Sequence, residues 1–300
     1  MSGTSELYAS ARIAAREREF LTEEDFSRLA HAGASECERL LAEWGRADER
    51  ACRAELFAFF REAGTKPAFL ACFEAKEDAF NAKCARKFAA CKNPAFRELA
   101  SELGRVPAQR VFEAVESENY RGLSDFLAAA LSALPPEAGA REIDRVLDAA
   151  YFSEREFLAR ELPDPLRRMF ALETDLLNLG TLFRCRTLGE ECLSHFVPGG
   201  TLAAEKLAGL AGLPPEESAD ALKGCEARPY LLRSLGSEAP PELALQELRL
   251  GLPAEFLAGR REGFFAQVNY WYRREAETMR LRRIRNAKRN GLRVGAREGV

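Results

Sequence analysis

Three similar strings of acid, amide and base recur at intervals of about a third of the chain, and they constrain the fold more than any other feature. The middle string, MFALETDLLNLGTLFRCRTL, carries Glu173, Asp175 and Asn178, followed by Arg184 and Arg186. Near the C-terminal end, WYRREAETMRLRRIRNAKRNG puts Glu275, Glu277, Arg280 and Lys288 at the offsets of Glu173, Asp175, Asn178 and Arg186. An earlier string, FEAKEDAFNAKCARKF, supplies Asp78, Asn81 and Lys83. The acids stand 97 residues apart (78 to 175) and then 102 (175 to 277). A fixed period of this kind predicts repeated copies of one structural unit. Stacked solenoid repeats run only ~20–50 residues, so the period predicts three larger helical units instead.

The rest of the chain supplies helix formers. Ala, Leu, Glu and Arg dominate, while Val and Ile, the strand formers, are scarce. A hydrophobic content of 47% supports a globular core and excludes a disordered chain. No segment shows sustained period-2 alternation bounded by turn residues. The expected fold is all-α, in three similar helical subdomains over residues 1–98, 99–198 and 199–300. Local signals fit: Thr22 to Asp25 forms a capping-box start, Pro67 opens a long helix, and Asn93-Pro94 ends it. Pro135-Pro136 breaks the second unit, the segment at 196–200 closes it, and Gly291 stops the last helix. The closing RVGAREGV is expected to fray.

Charge and composition exclude several functions. A net charge of −3 argues against nucleic-acid binding by the whole molecule. No run approaches the ~20 apolar residues of a membrane span, and the N-terminus lacks the apolar stretch of a signal peptide. A soluble cytoplasmic protein is expected. The eight cysteines form no CxxC pair and are read as reduced, small core residues. His31 and His195 stand alone near helix ends. The Gly-rich stretches at 198–200 and 209–213 contain no phosphate-binding loop motif. Tyr270, Trp271 and Tyr272 read as core or seam residues. No cofactor, metal or small-molecule substrate is expected.

The acids and amides of the three strings have two readings. At i and i+3 they share a helix face, so Asp175 can pair with a base from a neighbouring helix and Asn178 can bond backbone across a packing seam. A polar network holding helices together is therefore the first expectation, a docking surface the second. Catalysis is the weakest, because no His or second acid is suitably placed. Between Arg273 and Arg293 nine bases face two acids. Arg280, Arg283 and Asn286 share one face, and Arg282, Arg285 and Arg289 another; a solvated face or an acidic protein partner fits them better than nucleic acid.

At these residues the chain resembles the C-type subunit of the archaeal and bacterial V-type (A-type) ATP synthases, which is similar to the d-type subunit of vacuolar ATPases. The resemblance rests on Asp78, Asn81 and Lys83, on Glu173, Asp175, Asn178, Arg184 and Arg186, and on Tyr270, Glu275, Glu277, Leu281, Arg282, Ile284, Lys288 and Gly291. Tyr8 with Arg12 and the VPGG at 197–200 also fit. Gly180 departs from the family's Lys or Arg, and the C-terminus is short. The resemblance implies three helical subdomains in a pseudo-three-fold, funnel-like arrangement with no active site. It implies a central-stalk rotor component that links the central shaft, built of D-type and F-type subunits, to the membrane proteolipid ring for H+ or Na+ transport. It also implies a cytoplasmic position peripheral to the membrane. The alternative is a generic helical scaffold or interaction module.

Overall fold

The computed structural model describes residues 3–260 and 262–292. The closing residues expected to fray lie outside the described residues. Among the described residues the protein is all helix, α1 to α15 with two short 3-10 turns, and it has no β-strand. The chain divides into two compact units: Pro67–Phe256, and the residues up to Lys66 together with those from Leu257 onward.

The Pro67–Phe256 unit begins with α5 (Pro67–Cys91). Proline is tolerated at this position because a first-turn amide has no helical partner. After the short α6 (Ala95–Glu98) come α7 (Ala108–Glu116), α8 (Asp125–Ala133) and α9 (Ala140–Ala159). Helix α5 packs against α9 and α7. The shared core holds Val111, Phe112, Leu127, Leu131, Ile143 and Leu147, all at most 3% exposed. The second long helix, α10 (Asp164–Leu188), has Pro165 in its first turn and ends at Gly189, whose φ of 66° is a conformation that glycine adopts without strain. Its buried Leu172, Leu176, Leu179 and Phe183 follow helical spacing. Beyond it lie α11 (Ala204–Leu210), α12 (Pro215–Ala221), α13 (Arg228–Leu235) and α14 (Pro241–Phe256). The main packing partner of α10 is α14.

The other unit joins the two ends of the chain. It contains α1 (Gly3–Arg16), α2 (Glu23–His31), α3 (Ala34–Glu43), α4 (Glu49–Glu62) and α15 (Gly263–Arg289). Leu281 and Ile284 of α15 share a core with Phe26, Leu29, Leu40 and Leu41. Tyr270 and Trp271 are buried in an aromatic cluster with Phe57, Phe59 and Phe60, with ring centroids 5.0–6.2 Å apart. This is a core position, as the sequence suggests. Each aromatic pair adds about 0.5–1.5 kcal/mol beyond the area it buries. All eight cysteines are free, and burial pushes the Cys72 thiol up to about 12, so it stays protonated and apolar.

Candidate functional site

On each of three long helices a buried acid of the strings accepts the same kind of hydrogen bond. On α5, Asp78 accepts from the Val106 amide at 3.1 Å and from Arg105 Nε at 3.2 Å. On α10, Asp175 accepts from the Leu202 amide at 3.0 Å and from the Thr201 hydroxyl at 2.6 Å. On α15, Glu277 accepts from the Leu21 amide at 3.1 Å, Arg46 Nε at 3.0 Å and Arg274 Nη1 at 3.0 Å. In all three cases the donating amide stands two residues before a helix: α7, α11 or α2. The amides of a chain entering a helix need acceptors, and the acids provide them.

The amides on α5 and α10 repeat the arrangement one turn on. Asn81 donates to the Ser101 carbonyl at 2.7 Å and accepts from its amide at 2.8 Å. Asn178 does the same with Val197, at 2.9 Å in both directions. The loops lie so close that a Cβ on Gly104 would sit 2.1 Å from Asp78 Oδ1, and one on Gly200 would sit 2.2 Å from Asp175 Oδ1. In the third string Arg280 stands where Asn is found; it binds Glu23 at 2.6 and 2.7 Å and covers the Phe26 ring. Next to it Thr22 and Asp25 form the expected capping box.

Two expectations for the middle string are corrected. Asp175 has no base among its hydrogen-bond partners; a hydroxyl and an amide serve it instead. Arg184 does not join the network: it is exposed and has no partner among the described residues. Burial raises the carboxyls of Asp175 and Asp78 above their ordinary range, and the hydrogen bonds they accept oppose that rise.

The bases have separate roles. Arg186 donates to the carbonyls of Leu210 and Ala211 and to Ser218 Oγ, which caps the C-terminal end of α11. Lys288 donates to the Ala30 carbonyl and caps α2 in the same way. Cations are favoured at these helix ends. Lys83 has a different job and pairs with Asp148 at 2.6 Å. The basic face of α15 is not simply solvated: Arg282 pairs with Glu49, Arg285 with Glu38, and Arg289 also with Glu38. Glu275 lies 3.7 Å from Arg53. Arg12 pairs with Glu62 and stacks over Phe59, while Tyr8 is 60% exposed.

An open cleft lies inside the Pro67–Phe256 unit, with a volume of about 400 Å³. Helix α5 contributes Lys76, Ala79, Phe80 and Lys83, and α9 contributes Asp148, Tyr151, Phe152 and Arg155, both at i, i+3, i+4, i+7 spacing. Helix α10 adds Glu173, Leu177, Asn178 and Thr181. Two ion pairs cross its walls, Lys83–Asp148 and Arg155–Glu173 at 2.8 Å. Arg249 of α14 and His195 complete it. The structure thus brings Lys83, Glu173 and Asn178 of the sequence strings together. Arg155 and Arg249 carry no local signal, because a base in an amphipathic helix reads as surface until its neighbours are known. Among the described residues no group of three or more His, Cys, Asp or Glu side chains is placed to hold a metal ion. No described helix is long and apolar enough to cross a membrane.

The model for the family described as ATP synthase (C/AC39) subunit matches residues 9–296 of the chain. No curated protein matches the chain.

Proposed function

The chain belongs to that family and is a subunit of a V/A-type ATP synthase, and from this premise we propose that it serves as a non-catalytic rotor adaptor. In that role it links a central shaft of D-type and F-type subunits to the proteolipid ring and lies against the cytoplasmic face of the membrane. Ion transport, H+ or Na+, is coupled through it to ATP turnover in the rest of the complex.

The observation that carries the non-catalytic reading is the use made of the signature side chains. Asp78, Asp175 and Glu277 accept backbone amides, and Asn81 and Asn178 each bond one backbone residue through both the amide nitrogen and the amide oxygen. A general acid or base must reach the proton of a substrate, and these carboxylates are turned to the loops they hold. The three clamps support a plan of three related helical parts. We place their starts at α5, α10 and α15, the last part being completed by α2 to α4.

Reconstitution tests the role. Membranes stripped of this protein are expected to keep ATP hydrolysis in the detached head and to lose ATP-driven ion pumping, and adding the chain back is expected to restore pumping. Full coupling in its absence would refute the adaptor.

A further inference from the structure

A carboxylate carries one negative charge, and Glu277 shares it between two guanidiniums. Arg46 Nε and Arg274 Nη1 both donate to its Oε1, each at 3.0 Å, while Oε2 accepts the Leu21 amide. The side chains of Arg46, Arg274 and Glu277 are 11%, 8% and 5% exposed. A guanidinium stays protonated in proteins, so the second positive charge cannot be discharged by loss of a proton. The neighbouring acids are committed: Glu49 serves Arg282, Glu275 lies 3.7 Å from Arg53, and Asp48 caps α4. Arg285 brings a further guanidinium, and its acid, Glu38, is shared with Arg289. A buried charge in excess of its partners is costly, and an ion of opposite sign removes that cost.

The excess borders a cavity of about 20 Å³ between α4 and α15. Among the described residues its wall carries five guanidiniums against three carboxylates. The Thr278 hydroxyl donates to the Arg274 carbonyl and the Cys52 thiol to that of Gly45, so the donors left to face a guest are guanidinium N–H groups. Arg274 commits one of its five to Glu277. Leu56 and Leu281, 6% and 7% exposed, supply the apolar part of the wall. A low local dielectric there strengthens attraction between opposite charges. About 10–15 Å³ admits one water-sized guest, so the cavity suits a single monatomic ion and is too small for a tetrahedral oxyanion such as phosphate.

We propose that this cavity is a binding site for one small monovalent anion of the size of chloride, held by N–H groups of Arg46, Arg274 and Arg53. The anion supplies the charge that Glu277 cannot, and it ties α4 to α15 within the unit that joins the two ends of the chain.

Thermal unfolding of the full-length chain by circular dichroism tests this, with chloride exchanged for gluconate at constant ionic strength so that general screening is fixed. A ligand that binds only the native state raises the melting temperature with its concentration. Chloride and bromide are expected to raise it above the gluconate value along a saturating curve. Anomalous scattering from crystals soaked in bromide is expected to place a bromide ion between Arg46 and Arg274. R46Q leaves Glu277 and Arg274 as a balanced pair, and is expected to raise the half-saturating chloride concentration on the order of tenfold or more. R273Q makes the same change in net charge at a side chain that is 47% exposed and paired with Glu17, outside the cavity, and is expected to respond to chloride as wild type does. If R46Q fails to fold, the bromide position decides. Equal melting in chloride and gluconate, bromide peaks only outside the cavity, or an unchanged chloride response in folded R46Q overturns the proposal.

Discussion

Gly104 and Gly200 matter for what they lack. A methyl group at either would fall within 2.2 Å of the carboxylate oxygen that holds the loop, so Gly200→Ala should push the loop off Asp175 and cost about 1–3 kcal/mol, the usual penalty of overpacking. Gly209, inside α11 with nothing within 4 Å of its missing Cβ, is the matched control, and alanine there should be neutral or stabilise by roughly 0.5–1 kcal/mol. Chemical denaturation of the two variants checks the pair; equal effects would mean that the close approach does not decide stability. Asp175 gives a second prediction at this scale. Its removal by Asp175→Ala leaves the buried Leu202 amide unpartnered, at about 1–3 kcal/mol, while the exposed Thr201 hydroxyl can turn to water. Asp175→Asn keeps an acceptor and should be milder. The carboxyl also has a pH signature. Burial raises it above the ordinary 3.8, so the native state holds its proton more tightly than the unfolded chain does. Its contribution to stability is then fullest below 3.8 and declines as pH rises toward the higher native value. The melting temperature of Asp175→Asn relative to wild type should therefore increase with pH across that window, and a flat difference would mean the native carboxyl is not raised.

At the scale of elements, the long helices were legible and their partners were not. Pro67 and Asn93-Pro94 are local signals, and α5 runs between them. The clamps are different. A carboxylate that binds a backbone amide makes no demand on the donor's side chain, and the three donors, Val106, Leu202 and Leu21, share no chemistry the reader of a sequence could match. Only Gly104 and Gly200 left a trace. The third clamp has no glycine; Glu277 is one methylene longer than aspartate, and Glu19 stands at the corresponding place, with its carbonyl bound to Arg46. Glu277 also differs in having two guanidiniums as partners. Its removal leaves Arg46 and Arg274, 11% and 8% exposed at the side chain, short of their shared carboxylate. Glu277→Ala should cost about 3–5 kcal/mol. Glu23→Gln, which breaks only an outer pair whose acid is 78% exposed, should cost no more than about 1 kcal/mol. Urea titration of both distinguishes them, and comparable losses would show that the N-terminal segment is held by its rim pairs rather than by Glu277.

For the whole molecule, the three strings of the sequence reappear as three clamps, and two of the clamps span the divisions expected between subdomains. The strings lie on helices that stand at the head of the segment they clamp, so a division taken in order from residue 1 cuts between acid and loop. The bonds from Asp78 to Val106 and from Asp175 to Leu202 cross the divisions expected at 98/99 and 198/199. The basic face of α15 misled for a related reason: the acids that neutralise it, Glu23, Glu38 and Glu49, stand more than two hundred residues earlier. Distance along the chain hid a charge balance that folding restores. The divisions can be tested by expressing fragments. Residues 67–256 retain both aspartate clamps, both asparagine pairs and the cores of α5 and α10, and a unit that keeps its own core should fold alone. Residues 99–198 keep α7 and α9 but lose α5, against which both pack, and separate Asp175 from Leu202. The first fragment should melt in a single cooperative helical transition by circular dichroism, and the second should show no cooperative melt. A well-folded 99–198 fragment beside an unfolded 67–256 fragment would restore the divisions at 98/99 and 198/199 and remove the clamps as the feature that defines the folding unit.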